Sequence, residues 1–111
     1  MTDELTSFFQ QLSANPVESF ADVFLAGDRD GIRPVTKDAF LQALPKRAEM
    51  FRQAGVGEVT LDRLSFDELD DRYLWARTEW NADPLRLVSS YLLERDAGKL
   101  RVVVYLNHQG L

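Results

Sequence analysis

Val17, Phe20, Ala21, Phe24 and Leu25 recur at i, i+3, i+4, i+7 and i+8, the stripe of an amphipathic helix. Asn15 is a suitable N-cap, Pro16 fits the first helical position, and Glu18 completes a pattern close to a capping box. This spacing predicts a helix over 16–26, ended by Gly27 in a left-handed conformation. Leu5, Phe8, Phe9 and Leu12 predict a shorter helix over 3–12. Thr36 can cap a third over 37–53, with Asp38 in its first turn and Phe40, Leu41, Leu44, Ala48 and Phe51 on its buried side. Pro45 falls inside that stripe and predicts a kink or a restart, and Gly55 and Gly57 stop the helix.

Beyond Gly57 the apolar period changes from 3.6 to 2, and four extended segments follow at 58–69, 72–81, 85–95 and 99–109. The first loses phase between Leu61 and Leu64, which one extra residue near Asp62-Arg63, a β-bulge, would explain. Asp70-Asp71 marks a tight turn, Asp83-Pro84 a break, and Asp96-Ala97-Gly98 a three-residue hairpin loop. Helices followed by an antiparallel meander define an α+β chain, one domain over 1–111 without repeats or low-complexity linkers.

The passage Ala26-Gly27-Asp28-Arg29-Asp30-Gly31-Ile32, with the apolar stripe before it, resembles the opening of the nuclear-transport-factor-2-like superfamily, which includes ketosteroid isomerases and polyketide cyclases. Ser89-Ser90-Tyr91 and Tyr105-Leu106-Asn107-His108-Gln109 look like segments of uncharacterised bacterial members. The resemblance implies a cystatin-like, cone-shaped α+β barrel, with N-terminal helices against a curved antiparallel sheet of about four strands. It also implies pairing of two chains, sheet against sheet. The ketosteroid isomerases carry a tyrosine seven residues before the AGD glycine. Here that position is Phe20, which has no hydroxyl, so their chemistry does not carry over.

Pairing Arg95 with Lys99 puts Val88, Ser90 and Leu92 on one face with Val102, Val104 and Leu106. The other face then carries Leu87, Ser89, Tyr91, Leu93, Val103 and Tyr105. Both faces are largely apolar, whereas a sheet covered on one side only alternates apolar and polar residues. If helices cover the face with Val102, a second copy of the chain is expected on Leu87, Ser89, Tyr91, Val103 and Tyr105, giving a homodimer. The alternative is a monomer whose tyrosine hydroxyls keep that face wetted.

Composition narrows the function. Eighteen acidic residues against 13 basic give a net charge of −5, and Lys and Arg are dispersed, which argues against nucleic acid and against an anionic membrane surface as partners. The longest apolar run, Val102–Leu106, is far short of the ~20 residues that cross a bilayer. The start, Met1-Thr2-Asp3-Glu4, is acidic where a signal peptide is basic, and there is no cysteine, so a cytoplasmic protein is expected. Without cysteine and with one histidine, neither a thiolate nor a His-rich metal site can be built, and no phosphate-loop, dinucleotide, hydrolase-elbow or zinc-protease motif is present. No cofactor and no metal are expected.

The candidate chemistry is therefore sparse. His108, continuing the alternation past Leu106, is a catalytic general base at the end of a cavity or a hydrogen-bonded rim residue; the same register sets Arg86 opposite it. Trp80, Phe20 and Phe24, with Phe40 and Phe51, line an apolar ligand pocket or simply fill the core. Ser90 is the polar candidate on its wall, Arg47 either reaches over its mouth or is solvated, and Arg77 is either a carboxylate clamp or the partner of Glu79 or Asp62. The expected function is binding of a small apolar or weakly acidic ligand. The alternatives are a metal-independent isomerase, dehydratase or cyclase using His108, and a non-catalytic dimerisation domain with a filled cavity.

Overall fold

The computed structural model describes residues 2–108, and among these the chain forms two α-helices and six strands. Helix α1 (Thr2–Ala14) is followed by a 3-10 turn (Pro16–Ser19), strands β1 (Phe20–Asp28) and β2 (Gly31–Thr36), helix α2 (Lys37–Gln53), and strands β3 (Thr60–Glu68), β4 (Tyr73–Ala82), β5 (Leu85–Asp96) and β6 (Lys99–Asn107). The sheet is curved and open, in the order β2-β1-β6-β5-β4-β3. Neighbours run antiparallel except β1 and β6, which are parallel. The α+β architecture and the four C-terminal strands match the reading of the sequence. Gln109, at the expected end of the last strand, lies outside the described residues.

Helix α2 begins and ends where its signals place it. Thr36 Oγ1 accepts a hydrogen bond from the Ala39 amide at 3.1 Å, and the helix passes through Pro45 without interruption. The bulge in β3 is also present, as a register shift between Leu61 and Arg63.

The helix expected over 16–26 does not form. Its first turn is the 3-10 segment, in which the Asn15 side chain makes no capping bond, and from Phe20 the chain is strand β1. Phe20 and Phe24 are four residues apart, an even spacing that one face of a strand satisfies as well as one face of a helix. Docking against Phe40 and pairing with β2 and β6 then decide in favour of the strand. The register jumps from Phe20 opposite Val102 to Leu25 opposite Val104, so three extra residues of β1 bow out of the ladder and hide the alternation. Gly27 consequently caps no helix. A Cβ there would stand 2.7 Å from Leu106 Cδ2, so glycine allows the close approach of β1 to β6. The turn is made by Gly31, at φ 127°, while Asp28 Oδ1 accepts from the Asp30 amide at 2.8 Å.

The helices lie on one face only, here the inner face. Leu5, Phe9 and Leu12 of α1 pack with Leu74, Ala76, Trp80, Leu87, Tyr91, Leu93 and Val102, all buried. This reverses the expected assignment of faces. The β5–β6 register is Asp96 opposite Lys99, with a two-residue Ala97-Gly98 turn, and it shifts between Leu92–Val104 and Leu93–Val102. Val103 is the extra residue of that bulge. It moves Val102 to the inner face with Leu93, while Leu92, Val104 and Leu106 stay on the outer face. Leu87, Ser89, Tyr91 and Tyr105, expected at a dimer contact, instead face the helices.

Candidate functional site

Because the curved sheet pulls away from the helices, a cavity of about 610 Å³ opens between its inner face, α2 and the end of α1. Its floor is Trp80, Leu87, Ser89 and Tyr91, and its sides include Phe20, Phe40, Phe51 and Tyr105. The aromatic rings support one another. Phe20 and Phe40 stand 4.7 Å apart and Tyr91 and Tyr105 5.3 Å apart, and Phe9 underpins the floor at 4.9 Å from Tyr91. Such contacts hold wide, flat side chains in fixed orientations around an unfilled space.

The polar groups of the floor are internally satisfied. Trp80 Nε1 donates to Thr78 Oγ1 at 2.7 Å, and Thr78 Oγ1 donates to the Ser89 carbonyl at 3.5 Å. Burial pushes the Tyr91 phenol up to about 12, and the nearby Tyr105 adds to that rise. Hydrogen bonds with Ser89 and Thr78 and the charge of Arg47 pull the other way. Tyr91 therefore stays a neutral phenol throughout the physiological range.

Arg47 comes from the third turn of α2. Its guanidinium lies 5.2 Å from the Phe51 ring centre, one turn further along, and Nη1 donates to the Tyr105 hydroxyl across the cavity at 3.5 Å. It is half-buried, and among the described residues no carboxylate lies within ion-pairing distance of it. Glu58 also lines the cavity but is exposed.

Of the residues singled out from the sequence, Trp80, Phe20 and Arg47 do line the cavity. Phe24 does not; it is buried behind the wall against Phe20 and Phe40, with ring centres 4.6 and 5.4 Å away. Ser90 and His108 are on the outer face, where Ser90 Oγ and His108 Nε2 are 2.8 Å apart. His108 is exposed and borders a small cleft with Gly27, Asp28 and Arg29, not the cavity. The cause is the bulge. The register places His108 beside Val88, whose carbonyl accepts the His108 amide at 3.1 Å, and Arg86 instead pairs with Asp62 and Glu79 at 2.7 and 3.0 Å. Arg77, expected as a carboxylate clamp or as the partner of one of those carboxylates, is exposed. Tyr91 and Tyr105 were missed as cavity residues because the face they occupy was assigned to a partner.

A curved sheet wrapped around helices and enclosing an apolar pocket defines a cone-shaped α+β protein of the cystatin-like class. Comparison of structures identifies this as the nuclear-transport-factor-2-like fold. A protein of unknown function from Shewanella oneidensis described as nuclear-transport-factor-2-like superposes with a TM-score of 0.75 at 12% identity, covering 97% of this chain and 98% of its own. A cystatin-like protein of unknown function from Nostoc punctiforme gives 0.72 at 11%, covering 96% and 89%. A further nuclear-transport-factor-2-like protein of unknown function, from Pseudomonas putida, gives 0.61 at 13%, covering 96% and 82%. No family model and no curated protein matches the sequence. Among the described residues no helix is long and apolar enough to cross a membrane.

Proposed function

We propose that this protein is a small-molecule binding protein whose ligand has an apolar, ring-sized body and occupies the inner cavity. The observation that carries this reading is the cavity itself: about 610 Å³ walled by Phe20, Phe40, Phe51, Trp80 and Tyr91, within the ~300–1,000 Å³ typical of ligand sites. A domain serving only for association would gain by filling such a space, because each void forfeits packing energy. Catalysis by His108 in this cavity is disfavoured by its position on the other face. A cytoplasmic setting belongs to the same reading, supported by the absence of cysteine.

The test uses N-phenyl-1-naphthylamine, an uncharged dye that brightens in apolar sites. Saturable binding of one dye per chain is expected, and Ala48→Trp, which fills the mouth from α2, should abolish it while leaving the melting temperature nearly unchanged. Enhancement that never saturates, or that survives Ala48→Trp, would refute the reading.

The outer face supports a second element, self-association through that surface. Val23, Leu25 and Ile32 are 59, 40 and 56% exposed there, beside half-buried Leu92, Val104 and Leu106. The charges of Arg86 and Glu94 on this face are matched within the chain, by Asp62 and Glu79 and by Arg72 and Arg101, so two copies can meet without stranding them. Light scattering at micromolar concentration should give twice the monomer mass, and Leu25→Arg should return the monomer. A monomer mass for the unaltered chain would refute this.

A further inference from the structure

Arg47 is the cation among the described residues that line the cavity. An arginine head lying half-buried over an aromatic ring has given up part of its hydration, and in a protein that loss is normally offset by a carboxylate or phosphate. Among the described residues Arg47 has neither. Its contacts are the Tyr105 hydroxyl at 3.5 Å and the face of Phe51. Phe51 and Tyr105 hold the guanidinium from two elements, α2 and β6, so the planar fork is oriented before a ligand arrives. Accepting from Arg47 through its oxygen, Tyr105 keeps its own O–H free to donate.

Guanidinium and phenol together thus offer neighbouring N–H and O–H donors on the wall of a largely apolar space, the recognition pattern for a carboxylate. A phosphate dianion would bring a second charge that no other lining cation meets, since Arg47 is the one cation among the described lining residues. Glu58, at the solvent side, adds a further penalty for a doubly charged group. Flat aromatic walls at Phe20, Phe40 and Trp80 fit a planar ring system better than a flexible chain.

We propose that the cavity selects a planar aromatic monocarboxylic acid, its carboxylate held by Arg47 and Tyr105 and its ring body seated among the aromatic side chains. This rests on the cavity being a binding site, and the experiment separates the two. Calorimetric titration compares 2-naphthoic acid with 2-naphthamide, equal in shape but uncharged, on the intact chain and on Arg47→Met, Arg47→Gln and Tyr105→Phe. The acid should bind at least about 10-fold more tightly than the amide, the size of one charge-assisted hydrogen-bond pair over a neutral one. Both Arg47 variants should abolish that preference and leave amide affinity within about 2-fold, and Tyr105→Phe should reduce it by a smaller factor. Retained dye binding and an unchanged melt show that each variant is folded. If the amide binds as tightly as the acid, or the preference survives both Arg47 variants, the carboxylate assignment falls and the cavity reading stands. If neither compound nor the dye binds, both fall.

Discussion

Phe9→Ala is the substitution that tests the architecture of the cavity floor most directly. Phe9 is fully buried on α1, with ring centres 5.1 Å from Phe8, 4.9 Å from Tyr91 and 6.4 Å from Trp80. Truncating a buried phenylalanine costs about 3–5 kcal/mol, because the transfer energy of the ring is lost and a void remains. The void is expected to persist here, since both floor aromatics that could relax into it are held in place: Trp80 by Thr78, and Tyr91 by its hydroxyl partners and Tyr105. The upper part of the range therefore applies, about 4–5 kcal/mol. Against a total stability of roughly 5–15 kcal/mol for a domain of this kind, that is a large share. It should lower the thermal midpoint by about 15 °C or more. Urea unfolding followed by far-ultraviolet circular dichroism and by tryptophan fluorescence gives the measurement, with coincident transitions and an unchanged m-value as the sign of a two-state comparison. Phe8→Ala, at a half-buried position on the same helix, should cost markedly less. A loss below about 1.5 kcal/mol for Phe9→Ala, or equal losses at the two positions, would mean that α1 does not support the floor as described.

Two further outcomes follow from the outer face and the last hairpin. Glu94 accepts hydrogen bonds from Arg101 first and Arg72 second, which hold its carboxyl below the ordinary glutamate range. Its contribution is thus present above the unfolded-state pKa of about 4.3 and is lost as pH falls through the lower folded value. The stability gap between the unaltered chain and Glu94→Gln should be widest near pH 6–7 and close below about pH 4; a gap constant to pH 3 would contradict the assignment. In the β5–β6 turn Ala97 has φ 52° and Gly98 φ 79°, a two-residue turn in which asparagine is favoured at the first position. Ala97→Asn should raise stability by roughly 0.5–1 kcal/mol in urea titration, whereas Gly98→Ala should lower it.

Much of this architecture was legible because its determinants are local. Thr36, Asp38 and the Phe40-to-Phe51 stripe mark α2, and the lost phase between Leu61 and Leu64 marks the β3 bulge. Strand β1 was not legible. The even spacing of Phe20 and Phe24 satisfies either period, and the contacts that decide between them are tertiary: pairing with β2, docking on Phe40, and pairing with β6 about 80 positions later. The faces of the last hairpin were inverted for a related reason. With both sides apolar, alternation carries no direction, and the single extra residue Val103 shifts half of β6 relative to the other half. Arg47, Phe20 and Trp80 were recognised by residue type alone, whereas placing Tyr91, Tyr105 and His108 required the register.

The parallel contact between β1 and β6 has a consequence for how the chain comes into being. Phe20 meets Val102, so the third strand along the sheet is the last to be made, and it is the strand that joins the N-terminal hairpin to the rest. At ~5–20 residues per second, β1 leaves the ribosome several seconds before its neighbour exists. During that interval the β1 edge and the outward edge of β5 are both open, with Phe20 and Phe24 only partly covered. A chain interrupted before Lys99 leaves the β1 and β5 edges that β6 would cover ready to pair with other chains, so the completed β6 is what joins two sticky halves into one continuous sheet.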